Sequence, residues 1–129
     1  MPGIVHFEIP ADDQERARAF YRAAFDWTLD LVPGMDYTNV VTTPVDEATR
    51  QPLTPGAING GMFQRAERLT TPILTVDVDD IDASLERITE IGGSVVSPRA
   101  PVPGMGWFAY FEDSEGNILG LWTTDPSAS

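Results

Sequence analysis

His6 and Glu8 stand two residues apart in Val5-His6-Phe7-Glu8-Ile9, where apolar and polar residues alternate. A period of two is the pattern of a half-buried strand, and it puts the imidazole and the carboxylate on one face. His6 is the only histidine in the chain. Histidine titrates near neutrality, so the pair has the residue types of a general base with an orienting acid. The competing assignment is a hydrogen-bonded structural histidine. It weighs more, because no second acid–base group or nucleophile is identifiable beside the pair. Other chemistries are excluded by composition. There is no cysteine, hence no thiol nucleophile, disulfide or thiolate zinc site. All eight cations are arginine, which removes Schiff-base chemistry and the lysine of a phosphate-binding P-loop. No serine occupies a Gly-x-Ser-x-Gly elbow.

The strand carrying His6 and Glu8 is closed by Pro10, and Ala11-Asp12-Asp13 supplies the N-cap and acidic first turn of a helix over 14–25. Its aromatic stripe Phe20, Tyr21, Phe25 reads as core, with Glu15, Arg16, Arg18 and Arg22 on the other face. Strands over 27–32, 37–43 and 57–63 follow. The Pro- and Thr-rich stretch 44–56 reads as a mobile loop, a lid or a spacer. The order then begins again. A strand over 73–78 leads to Asp79-Asp80, which caps a helix carrying Ile81, Leu85, Ile88 and Ile91, and Gly92-Gly93 ends it. Strands over 94–97, 107–112 and 117–123 complete the set, and the tail 125–129 reads as frayed.

The residues of the two halves partly agree. His6 to Asp13 lies over Ile73 to Asp80, Gly34-Met35-Asp36-Tyr37 over Gly104-Met105-Gly106-Trp107, and Gly56 to Gly60 over Gly116 to Gly120. Two strand–helix–three-strand modules, 4–64 and 73–124, therefore make a single domain, 1–129. Each module has about 55–60 residues, too few for a stable core of its own. The expected architecture is α+β, with joined sheets, helices outside and inner faces bounding a cleft. Alternation sends Val5, Phe7 and Ile9 under the first helix, and His6 and Glu8 into the cleft. In the second copy Leu74, Val76 and Val78 go to the helix, while Ile73, Thr75 and Asp77 turn inward.

Val5-His6-Phe7-Glu8-Ile9-Pro10, the helix end Phe20-Tyr21…Phe25-Asp26-Trp27, Val78-Asp79-Asp80-Ile81-Asp82, Gly92-Gly93 and the run Asp113 to Trp122 together resemble the vicinal oxygen chelate superfamily. That superfamily holds glyoxalase I, bleomycin-resistance proteins and extradiol dioxygenases. The resemblance covers nearly the whole chain and implies a glyoxalase-like open barrel of two βαβββ modules. Asp26 departs from it, since the family usually has glycine there. Metal-dependent members place His or Glu at four inward positions, which correspond here to His6, Gly60, Ile73 and Gly120. Only His6 can ligate, so a divalent metal at His6 is disfavoured, the catalytic norm being about three protein ligands.

Two glycines and an isoleucine at those positions imply an apolar pocket with a few polar groups, the usual form of a small-molecule site. Its polar centre is His6 and Glu8, with Thr75 nearby, and Ile58, Gly60, Met62, Ile73, Ile118, Gly120 and Trp122 line it. His6 and Glu8 are the candidate catalytic residues. The leading expectation is a glyoxalase/bleomycin-resistance-like protein binding a small organic ligand, apolar or cationic, with no cofactor and no metal. The alternatives are a metal-dependent lyase, isomerase or dioxygenase of the same superfamily, and a non-catalytic interaction subunit. By resemblance the chain forms a homodimer. A formal charge of −12 over 129 residues disfavours nucleic acid as a partner. No apolar run approaches the roughly 20 residues that span a bilayer. The start of the chain lacks a signal peptide's basic and apolar regions, so a cytoplasmic address is the default.

Overall fold

The alternating segment at the start of the chain forms β1 (Ile4–Ala11), and α1 (Gln14–Phe25) follows at once. The computed structural model describes residues 1–129 and resolves into two units. One is His6–Pro72; the other is Ile73–Ser129 together with Met1–Val5. In the first, β2 (Thr28–Leu31), β3 (Tyr37–Val41) and β4 (Gly60–Gln64) follow α1. β2 and β3 are antiparallel, as are β3 and β4, and β4 runs parallel to β1.

Asp13 caps α1, its carboxylate accepting from the Arg16 N–H at 3.0 Å. The helix stops at Asp26, whose φ of +59° is left-handed and whose N–H bonds the Arg22 carbonyl. Glycine is the usual residue for this conformation, and a short polar side chain is among the few substitutes that tolerate it. The departure from the family pattern is thus a conservative one in backbone terms. The core under α1 is Ala11, Leu29, Val40 and Met62, with Phe7, Ala17, Tyr21 and Trp27 packed against it. The expected aromatic stripe is only partly core. Tyr21 stacks on Trp27 at 5.4 Å between ring centres, whereas Phe20 and Phe25 are about 60 % exposed. Phe25 reaches only Trp27 and Tyr21 among the rings, at 5.0 and 6.3 Å between centres.

The 44–56 stretch is a folded turn rather than an open excursion. Val45 bridges to Pro52, the Asp46 carboxylate accepts from the Ala48 and Thr49 N–H groups at 2.9 Å, and Arg50 takes a φ of +63°. Asn59 holds its base through the N–H groups of Thr42 and Thr43.

The second unit contains β5 (Ile73–Asp77), α2 (Ile81–Glu90), β6 (Ser94–Val102), β7 (Gly106–Glu112) and β8 (Ile118–Thr124). Here β5 is parallel to β8, and β8–β7 and β7–β6 are antiparallel. β6 runs past the expected end at residue 97 despite Pro98 and Pro101. It is an edge strand with register shifts, the setting in which prolines are tolerated. Asp80 caps α2, and Ile81, Leu85, Ala109 and Leu121 form the core with Val76, Val78, Ile88 and Trp107 around them. Leu74 and Val5, expected under the helices, are exposed. The tail is tied down rather than frayed. Trp107 donates its indole N–H to Asp125 at 3.0 Å, Gly104 donates to the Ala128 carbonyl, and Ala128 is buried.

Candidate functional site

Strand register decides which residues accompany His6. In the first unit Glu8 lies level with Gly61, and Phe7 with Gly60. Residues level across a parallel pair share a face, so Gly61 joins His6 and Glu8, and Gly60 joins Phe7. Steric space agrees. A Cβ on Gly60 would run into the Phe7 ring, and one on Gly61 would coincide with the Tyr37 hydroxyl. Two of the expected site residues are therefore corrected. Gly60 faces the helix, and Met62, fully buried, packs with Ala11, Leu29 and Val40 in the core beneath α1. Ile58 precedes β4, where its carbonyl accepts the Thr42 hydroxyl. The cause is one residue of register, which reverses every side chain of a strand.

Tyr37 is the residue that sequence reasoning missed. It opens β3, level with Phe63, and its hydroxyl lies 3.1 Å from the His6 Nε2. Alternation in Tyr37-Thr38-Asn39-Val40 does separate Tyr37 from the buried Thr38 and Val40. Nothing local to β3 says that β4 offers a glycine beneath the phenol. Glu8 is buried, and its negative charge favours a protonated His6. Burial of the imidazole acts the other way and is the larger effect, so the His6 pKa lies below its ordinary value. His6 is accordingly neutral near pH 7.

On the opposite face of the same sheet, Thr38 donates to Gln14 at 2.9 Å and accepts from Arg18 at 3.0 Å, while Gln14 also donates to the Asp36 carbonyl. This network satisfies buried polar groups under α1 and lies away from His6. A groove of about 320 Å³ also runs beside the start of α1, lined by Ile9, Asp12, Arg16, Phe20 and Arg65 among others. Arg65 and Asp12 pair across it at 2.9 Å.

In the second unit Thr75 lies level with Gly120, and Asp77 with Trp122. Ile73, Thr75, Ile118, Gly120 and Trp122 thus occupy one face, as alternation requires. Ile73 is 1 % exposed. A Cβ on Gly120 would meet the Thr75 hydroxyl oxygen at 2.8 Å. Phe108 and Tyr110, level with Trp122 and Gly120, share that face and pack edge to face.

These donors do not fit a divalent metal site. A catalytic ion needs about three protein ligands, and no group of three or more His, Cys, Asp or Glu side chains is gathered for one. The space above Gly61 holds the Tyr37 hydroxyl, and the space above Gly120 adjoins the Thr75 hydroxyl. Neutral hydroxyls thus stand beside both glycines.

A duplicated strand–helix–three-strand α+β architecture, with a histidine on the face of the first strand away from the helix, defines a glyoxalase-like protein. The chain belongs to the Glyoxalase/Bleomycin resistance protein/Dioxygenase superfamily, whose family model matches residues 3–121. It is 30 % identical over 121 residues to "Putative glyoxylase CFP32" of Mycobacterium bovis, covering 89 % of this chain and 43 % of that protein. The chain therefore spans less than half the length of that relative. It is also 30 % identical to a glyoxylase-like domain-containing protein of Didymella fabae, covering 93 % of this chain and 92 % of the other. Among solved structures, the hypothetical protein BH1468 of Bacillus halodurans superposes with a TM-score of 0.62 at 11 % identity, covering 99 % of this chain and 98 % of that one. Methylmalonyl-CoA epimerase of Streptomyces coelicolor gives 0.61 at 15 % identity, covering 98 % and 97 %. At these identities the likeness is one of fold. No helix is long and apolar enough to cross a membrane.

Proposed function

We propose that this chain binds a small organic molecule against the sheet face carrying His6, Glu8 and Tyr37, away from α1, and does so without a resident metal. The observation that carries this reading is the pairing of the His6 Nε2 with the Tyr37 hydroxyl over Gly61. The Nε2 is engaged by a phenol, and a glycine beneath that phenol offers no carboxylate to complete a ligand set. What remains is a partly buried, neutral polar pair, the kind of group that orients a ligand in an otherwise apolar site. Buried Glu8 and the acidic surplus favour a neutral or cationic ligand over an anion. The epimerases of similar fold act on a coenzyme A thioester according to their names, and at 15 % identity that substrate does not carry over. We further propose, from family resemblance, a homodimer.

The test has two arms on the purified protein. Titration with Ni²⁺ and Zn²⁺ is expected to show no stoichiometric uptake that depends on His6. Tight uptake lost in His6→Ala would replace this reading with a metal-dependent enzyme. A thermal-shift screen of neutral and cationic organic compounds is expected to give hits, because a ligand that binds only the native state raises the melting temperature. A screen without hits, alongside specific capture of another protein, would favour an interaction subunit.

A further inference from the structure

In the second unit, the sheet face away from α2 is shaped by two glycines, Gly106 on β7 and Gly120 on β8. We infer that this face is a stacking site for a neutral aromatic ring. Trp122 is its platform, and the Thr75 hydroxyl bonds a polar substituent on the ring. The inference concerns residues 73–124 alone and does not depend on the reading of His6.

Gly106 lies level with Thr124, two residues beyond Trp122. A Cβ at 106 would run into the benzo ring of Trp122, so the glycine lets the indole lean over β7. The indole N–H donates to the Thr124 hydroxyl at 3.0 Å, which fixes the ring and spends its one polar group. The partly buried ring is left with its π-face to offer a ligand. Phe108, level with Trp122 and packed edge to face on Tyr110, extends the aromatic surface. Because the indole leans towards Gly106, it leans away from Gly120. The nearest atom to a Cβ at 120 is the Thr75 Oγ1, at 2.8 Å. Thr75 is 6 % exposed, yet its hydroxyl makes no hydrogen bond within the protein. It is not sealed off either, since no fully buried side-chain oxygen lacks a partner. A nearly buried hydroxyl without a partner costs free energy, and a ligand substituent reaching over Gly120 supplies that partner. The charged residues of this face, Asp77 and Glu112, are acidic and no arginine joins them, so a neutral ring suits it better than a carboxylate or phosphate.

The probes are p-cresol and p-xylene, which have nearly the same shape and differ by a hydroxyl in place of a methyl group. Three tryptophans give three indole N–H signals in a ¹H–¹⁵N spectrum, and Trp122→Phe identifies that of Trp122. Both probes are expected to shift the Trp122 signal and to leave those of Trp27 and Trp107 in place. Thr75→Val keeps the shape of the side chain and removes its hydroxyl. It is expected to weaken p-cresol about fivefold, the worth of one neutral hydrogen bond, and not to weaken p-xylene. Trp122→Leu is expected to weaken both probes about tenfold. A Trp122 signal unmoved by millimolar p-cresol overturns the stacking site, as does unchanged affinity in Trp122→Leu. Thr75→Val that leaves p-cresol unaffected, or weakens both probes equally, overturns the assignment of the hydroxyl. None of these results bears on the His6 reading, which the metal titration tests.

Discussion

His6 connects stability to pH. Its pKa in the folded chain lies below the ordinary value near 6.5 because burial penalises the imidazolium more than Glu8 favours it. Between the folded and unfolded values the unfolded chain holds a proton that the native chain does not, so stability rises with pH in that window. The His6 contribution is complete above about pH 6.5 and is lost on acidification below it. The urea midpoint of wild type should therefore fall between pH 7.5 and 5.5, and His6→Gln should flatten that slope. Equal slopes would show that the ring is not desolvated. The carboxylates of Asp46, Asp113 and Asp125, held low by hydrogen bonds from nearby N–H and O–H groups, act in a separate window below their ordinary values. At this scale the sequence exposed His6 and Glu8 through their types and spacing. It hid Tyr37, whose role depends on a glycine 24 positions later.

β4 shows how an element can carry the right residues on the wrong side. Gly60, Gly61 and Met62 are consecutive, and only their register against β1 decides which of them faces His6. A direct check is Met62→Ala. Removing a fully buried side chain from the Ala11, Leu29 and Val40 core should cost about 2–5 kcal/mol by denaturant titration. Ligand affinity measured on the remaining folded protein should be unchanged. A mutant of normal stability and reduced affinity would put Met62 back in the site. In the second copy the register puts Ile73, Thr75, Ile118, Gly120 and Trp122 on one face, as alternation predicts. There, the buried Leu121 and the alternation around Gly120 leave a single consistent choice.

Over the whole molecule, duplication is legible in the order of elements and in matched residues, and each copy builds its own core under its own helix. The chain's divisions are less legible. Met1–Val5 group with the second half, where the Gly3 carbonyl accepts from the Asp77 N–H. The C-terminal tail also belongs to that unit's structure. Deleting residues 125–129 removes the acceptor of the Trp107 indole, and an orphaned partly buried donor costs about 1–3 kcal/mol. A drop in the urea midpoint of that size is expected. An unchanged midpoint would show the tail to be a bystander.

The sequence by itself determined what local chemistry can encode: helix caps at Asp13 and Asp80, alternation in β1 and β5, the repeat, and the absence of thiols and amines. These depend on residue type and on spacing within a dozen positions. Tertiary structure alone decided that Gly61 rather than Gly60 accompanies His6, that Tyr37 fills the space above it, and that Phe20 and Phe25 lie on the surface. Each of these turns on which strands pair and in what register, and a register is set by the summed burial of distant side chains, which no short segment contains.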